Sequence, residues 1–183
     1  MPTYAMQPHP VSHDQGFQIE LVISQTDTAL HWDFTLTPPP GSGYTWFVKD
    51  GFRPHHHGNW LLWEHDVAEV FLAAEGTDHY LEFQVDPNGT PFCLVIGEPR
   101  KSFWSPLEVP TCMDSTVDPE TGIWQARIRP PRSFIESWIG PGPYRCNAHT
   151  CLGRPGHRSY YSAILNPGPR PDFHQPELMR VTL

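Results

Sequence analysis

Proline punctuates this chain so heavily that long helices have little room to form. There are 22 prolines in 183 residues, against a usual share of roughly 5%. A proline ring removes a backbone donor and fixes φ, so it belongs in loops, turns and sheet edges rather than in helix interiors or central strands. Between the prolines lie short runs that alternate apolar and polar residues, the period of a half-buried strand. Phe17 to Ile23 is one such run. Ala29 to Leu36 is another, with Leu30, Trp32, Phe34 and Leu36 on one face and His31, Asp33 and Thr35 on the other. Tyr44 to Val48 reads as a third strand, and Gly51 to Asn59 as a loop. Val67 to Ala73 and Tyr80 to Val85 read as a hairpin turned by Glu75 to Asp78. Phe92 to Ile96, Ile123 to Ile128, Tyr144 to Ala148, Tyr160 to Leu165 and Leu178 to Leu183 complete the series, and Arg132 to Ile139 is the one helix expected. About ten short strands with regular turn signals predict an all-β fold, a two-sheet antiparallel β-sandwich of the immunoglobulin or jelly-roll kind. Residues 17–183 form its single domain, and residues 1–16, rich in Pro, His and Gln, read as a loosely attached arm of the same unit.

Charge narrows the partners. The formal net charge is −8 and the only lysines are Lys49 and Lys101. No basic stripe exists for nucleic acid or for an acidic membrane surface. No apolar run reaches the length of a membrane span. The opening residues lack the basic-then-apolar pattern of a secretory signal, so the chain as written reads as soluble and cytoplasmic unless a signal has been removed from it. Cys93, Cys112, Cys146 and Cys151 are irregularly spaced. Cys146 and Cys151 enclose His149, with His157 nearby, but this spacing fits none of the usual zinc patterns, and plain thiols or a local disulfide are the reading.

The stretch Trp63 to Leu72, "WEHDVAEVFL", carries the chemistry. Asp66 and Glu69 sit at the mouth of an apolar run behind a tryptophan, as a catalytic acid pair, a metal site or a polar hook beneath an aromatic platform. On a strand, Ala68, Val70 and Leu72 share one face and Val67, Glu69 and Phe71 the other; across the hairpin, Leu81, Phe83 and Val85 face the core while Tyr80, Glu82 and Gln84 face away. A carboxylate among apolar neighbours is costly unless hydrogen-bonded, so Glu69 either pairs with an arginine or accepts from ligand hydroxyls. Sugars suit such a place. The C–H face of a pyranose packs on a flat aromatic ring, while carboxylate, amide and guanidinium groups bond its hydroxyls. Trp63 and Glu69 supply both kinds of group, Trp60 and Trp104 are further loop aromatics, and Trp32 and Trp124 belong to the core.

These residues resemble a known family. "WEHDVAEVFL" is similar to the W-E-x-D-x-x-E-[IV]-F-[IL] signature of family 9 carbohydrate-binding modules, a branch of the DOMON-like β-sandwiches. "VKDG" at Val48 to Gly51, "YLEFQVDPNG" from Tyr80 and the tail "PDFHQPELMRVTL" resemble the blocks around it. The resemblance implies a non-catalytic module that holds a mono- or oligosaccharide in a slot between two aromatic side chains, here Trp63 and Phe173. It places the hydroxyl-accepting glutamate at Glu69, a ligand-contacting arginine at Gln84 and an asparagine near Arg170, with His174 as a further flanking polar contact. It also implies structural calcium, without placing its ligands: Asp50, Asp66 and Asp86 are oxygen donors in loops, and ordinary turn roles explain them equally well. The chain departs from the pattern in having Phe173 rather than Trp, Gln84 rather than Arg, and no Asp-Gly…Trp opening in residues 1–43.

Competing readings are a glycosidase using Asp66 with Glu69, or Glu69 with Glu82, a haem- or metal-binding DOMON-like module drawing on eleven His and four Met, and a structural or accessory sandwich. Residues three apart on a strand project to opposite faces, which separates Asp66 from Glu69.

Overall fold

The computed structural model describes residues 1–13, 16–50, 59–77, 79–104 and 112–183. The alternating runs become antiparallel strands in two sheets. One is built from β1 (Thr3–Ala5), β3 (Gln18–Gln25), β4 (Leu30–Thr37), β9 (Met113–Val117) and β10 (Trp124–Ile128), in the order β1-β3-β4-β10-β9. The other contains β2 (Gln7–Pro8), β5 (Val67–Ala74), β6 (Tyr80–Val85), β7 (Pro91–Glu98), β8 (Ser102–Trp104), β11 (Tyr144–Leu152) and β12 (Ser159–Ser162). Its order is β2-β12-β11-β5-β6-β7-β8, with β13 (Val181–Thr182) also paired to β11.

The sheets bury their apolar faces against each other. Trp32, Phe34 and Trp124 from the first meet Val70, Leu72, Leu81 and Phe83 from the second in one cluster. Each such side chain contributes about 1.5–3 kcal/mol when fully removed from water. The helix α1 (Arg132–Ile139) starts straight after Pro130 and Pro131 and ends at Gly140, whose φ of 80° suits glycine. Its Ile135 and Ile139 are buried, and Phe134 reaches the Phe83 ring at 6.2 Å.

Several expectations need correction. Tyr44 to Val48 is irregular. The Phe47 amide donates to the Asp66 carboxylate and its carbonyl accepts from the Asp66 amide at 2.8 Å, so Phe47 bonds one residue instead of a neighbouring strand, and the Tyr44 hydroxyl donates to the same carboxylate at 3.0 Å. The N-terminal segment is not a loose arm. β1 pairs with β3 and β2 with β12, so the chain crosses from one sheet to the other, with Met6 buried between. The late strands β12 and β13 are shorter than the sequence suggests, and the short edge strands β8 and β9 were not anticipated. The loop from Gly51 lies outside the described residues up to residue 58, including His55, His56 and His57, as does Asp78 of the hairpin turn. Cys146 faces the core while Cys151, five residues along the same strand, faces away; both are free thiols, neither bridged to the other nor gathered round a metal. No helix among the described residues is long and apolar enough to cross a membrane.

The second sheet is covered on its outer face too. Every residue of β5 is buried, so that face needs its own lid. The lid is a second apolar cluster, in which Leu62 and Met179 lie over Val67, Phe71, Phe92 and Leu94.

Candidate functional site

Strand register sets polar groups into this otherwise apolar outer face. His149 on β11, Glu69 on β5, Gln84 on β6 and Phe92 on β7 form one cross-strand row. Asn147, Phe71, Glu82 and Leu94 form the adjacent row. Three interstrand steps of about 4.8 Å set the ends of such a row roughly 14 Å apart. An aromatic ring rises at each end. Phe173 stacks on His149 with centroids 4.1 Å apart and planes 15° from parallel. Trp63 leans on Phe92 at 6.1 Å. Between them lies a cavity of about 540 Å³ lined by Trp63, Glu69, Glu82, Gln84, Phe173 and His174, among others.

Each wall is fixed by polar groups beneath it. Trp63 sits in a 3-10 turn, Leu62–Glu64, pinned by the fully buried Leu62. The Arg158 guanidinium donates to the carbonyls of Trp63 and of His65, the latter at 2.7 Å. Phe173 sits in a loop organised by the buried Asn166, whose amide donates to the carbonyls of Arg170 and Asp172 at 3.0 and 3.1 Å and accepts from the Gly168 amide at 2.7 Å. His9 braces the same loop through a 3.1 Å contact with the Gly168 carbonyl. Arg100, in the turn between β7 and β8, forms an ion pair with Asp172.

The floor holds several buried polar atoms that lack hydrogen-bond partners. Glu69 and Glu82 are each only 3% exposed. Gln84 donates to one Glu82 oxygen at 2.5 Å, but Glu82 Oε2, Gln84 Oε1 and His149 Nε2 are buried without a hydrogen-bond partner among the described residues. Burial pushes Glu69 well above the usual carboxylate range; the nearby Glu82 adds to this and Arg158 opposes it. Glu82 is raised by its own burial, against the Gln84 hydrogen bond. Burial, reinforced by His174, lowers His149 to about 3, so its ring is neutral. Its Nδ1 is engaged by Ser162 Oγ at 2.8 Å. His174 is lowered by burial and by Arg100, and its Nδ1 meets the Tyr80 hydroxyl at 2.8 Å. Unpartnered buried polar atoms are rare and costly. A molecule bearing several hydroxyl donors and a flat apolar face satisfies both floor and walls.

Of the residues that the sequence proposed, Trp63, Glu69, Gln84, Phe173 and His174 line this one cavity. Arg170 does not: its side chain is exposed, and its carbonyl serves the Asn166-centred loop. Asp66 stays out as well. It is fully buried as a polar hook, accepting from Tyr44, Phe47 and the Gly153 amide. Gly153 is specific there, since φ is 92° and a Cβ would meet the His157 carbonyl oxygen at 2.3 Å. The cavity's guanidinium groups, Arg100 and Arg158, went unforeseen. Buried carboxylates signal that a cation is near, but nothing local in the sequence tells which of the arginines folds back to them.

Two of the loop carboxylates named for calcium already have partners. Asp66 is used as described, and Asp86 accepts from the Asn88 and Thr90 amides and meets His65 Nδ1 at 2.9 Å. Among the described residues no group of three or more His, Cys, Asp or Glu side chains is placed to hold a metal ion.

Comparison with known proteins places the fold. No family model matches the chain. A candidate carbohydrate-binding protein of Bacteroides uniformis superposes with a TM-score of 0.70 at 16% identity, covering 96% of this chain and 84% of that one. A family 9 carbohydrate-binding module of Caldicellulosiruptor kristjanssonii in complex with glucose superposes with a TM-score of 0.53 at 11% identity, over 90% of this chain and 76% of the module. The fold is that of family 9 carbohydrate-binding modules. A family 9 module of the same organism in complex with cellotriose gives a TM-score of 0.51 at 11% identity, over 90% of this chain and 75% of the module. In sequence, the chain is similar to two curated relatives. The human UPF0462 protein C4orf33 is 26% identical over 119 residues, and its Danio rerio homolog 26% identical over 122. Those alignments cover 62% and 63% of this chain and only 56% and 58% of the relatives.

Proposed function

We propose that this chain binds carbohydrate without catalysing a reaction, holding a sugar ring between Trp63 and Phe173 over a floor of Glu69 and Gln84. The observation that carries this reading is the set of buried polar atoms without hydrogen-bond partners at the floor of a cavity walled by two aromatic side chains. The two family 9 neighbours were solved with glucose and cellotriose, which supports a sugar as the ligand. In this reading Glu69 and Glu82 accept from ligand hydroxyls, Gln84 and His174 flank the ring, and Arg158 and Arg100 supply the guanidinium that the family pattern places at Gln84. Arg170 has no part in it.

The Glu69–Glu82 pair is the one form in which an acid–base mechanism still has both groups facing a cavity. Burial raises both carboxyls, which suits a general acid but disfavours the ionised nucleophile or base that hydrolysis also requires.

Calorimetric titration with a panel of mono- and disaccharides tests the proposal. Binding is expected to be modest, because a half-open wet site recovers little beyond its ordering costs. Trp63→Ala should weaken it roughly tenfold, about the worth of one aromatic stacking face, and Glu69→Gln should weaken it too. A sugar that binds Trp63→Ala as well as it binds the unaltered protein removes the slot. Hydrolysis of aryl-glycosides by pure protein, abolished in Glu69→Gln, overturns the non-catalytic half.

A further inference from the structure

The cavity does not stop at Trp63. Beyond it stand Trp60 and Phe103, which also line it. Their rings stack on each other, centroids 5.0 Å apart and planes 23° from parallel, while Trp60 meets Trp63 edge-on at 4.9 Å. Despite this packing, Trp60 is 45% and Phe103 50% exposed. Large aromatic faces in the open do not serve the sandwich core; placed at the mouth of a polar-floored cleft, they are suited to a ligand.

The sheet order gives the spread of the strands beneath the cleft. Phe173 stands over β11 and Phe103 belongs to β8, with β5, β6 and β7 between them. Four interstrand steps of about 4.8 Å separate those outer strands by roughly 19 Å. One pyranose ring cannot reach from end to end. Polar groups continue along the same line. Glu69 and Gln84 lie under the inner part, Ser102 of the Phe103 strand lines the same cavity, and Arg100 reaches back from the β7–β8 turn to Asp172 beside Phe173.

From this we infer that the cleft takes a linear oligosaccharide laid across the strands, with the Phe103–Trp60 pair as a second stacking platform one sugar unit or more from the Trp63–Phe173 slot. The inference rests on the carbohydrate reading above and deepens it. The ligand class becomes a chain of at least two units, and specificity includes length.

The test is a calorimetric series on the full chain with glucose, cellobiose and cellotriose, and with the matching xylo-, manno- and N-acetylchito- series. In the series that binds, affinity should rise from the monosaccharide to the trisaccharide. Phe103→Ala should reduce the trisaccharide-to-monosaccharide affinity ratio roughly 3- to 10-fold, the effect of one lost stacking contact. Phe103→Tyr, which keeps the ring, should restore that ratio. Circular dichroism and a melting curve establish that each variant is folded, which an exposed edge-strand position favours. Monosaccharide binding with no gain in length, or equal loss for all lengths in Phe103→Ala, overturns the second platform and leaves the slot standing. Absence of binding by every series overturns both.

Discussion

At the scale of single residues, Glu69 trades stability for its position. The ordinary glutamate value is 4.5, and burial beside Glu82 raises it well above that in the folded chain. Below about pH 4.5 both folded and unfolded chains hold the proton, and the site costs little. As pH climbs from there through the raised folded value, the unfolded chain ionises freely while the folded one resists, so stability falls. Glu69→Gln should therefore melt with the unaltered protein near pH 4 but at a progressively higher temperature towards pH 8, as melting curves across pH would register. Coincident curves at every pH would show that Glu69 ionises as freely folded as unfolded. His149 has the opposite sign. It is lowered from 6.5 to about 3, so the stability it contributes is present above 6.5 and is lost as pH falls towards 3. The two groups bracket a stability maximum between them. Alternation placed Glu69, Glu82 and Gln84 on the outer face in advance, because the period of a strand is set by the backbone. It did not reveal Arg158 or Arg100, whose places depend on long-range closure.

At the scale of elements, the two walls differ in how they are built. Trp63 belongs to a turn nailed down by buried Leu62, whereas Phe173 belongs to a loop whose shape depends on one side chain. Asn166→Ala leaves the Gly168 amide and the carbonyls of Arg170 and Asp172 without their partner. The expected loss is about 1–3 kcal/mol of stability, together with weaker sugar binding, read by a melting curve and a titration. Unchanged affinity would show that Phe173 needs no such support. The long strands were legible because their apolar residues repeat every second position over six to nine residues. Thr3–Ala5, Ser102–Trp104 and Met113–Val117 carry too few apolar residues to show a period, and their pairing is decided by the strands beside them. Tyr44 to Val48 fails the other way: it has the composition of a strand, but Asp66 offers its backbone a better partner than a neighbouring ladder.

At the scale of the whole molecule, the N-terminal segment joins the two sheets at one edge. β1 extends the first, β2 extends the second, and His9 continues to the loop that carries Phe173. Removing residues 1–8 should bare both edges and the Met6 site. The expected result is a melting temperature lower by roughly 4–10 °C and a tendency to self-associate through unpaired strands, read by calorimetry and size-exclusion chromatography. A truncated chain that melts with the full one would show that the crossing adds nothing.

The same crossing has a kinetic side. Ser12 bonds Tyr160 across 148 positions and His9 reaches Gly168 across 159. Chains dominated by such distant pairings fold slowly, because a large loop must close before any contact rewards it. During synthesis, β2 waits for β12 to leave the ribosome, and the two sheets share an open seam until it does. Whatever shields that seam in the interval, a chaperone or simple dilution, governs how much of this protein reaches its native state.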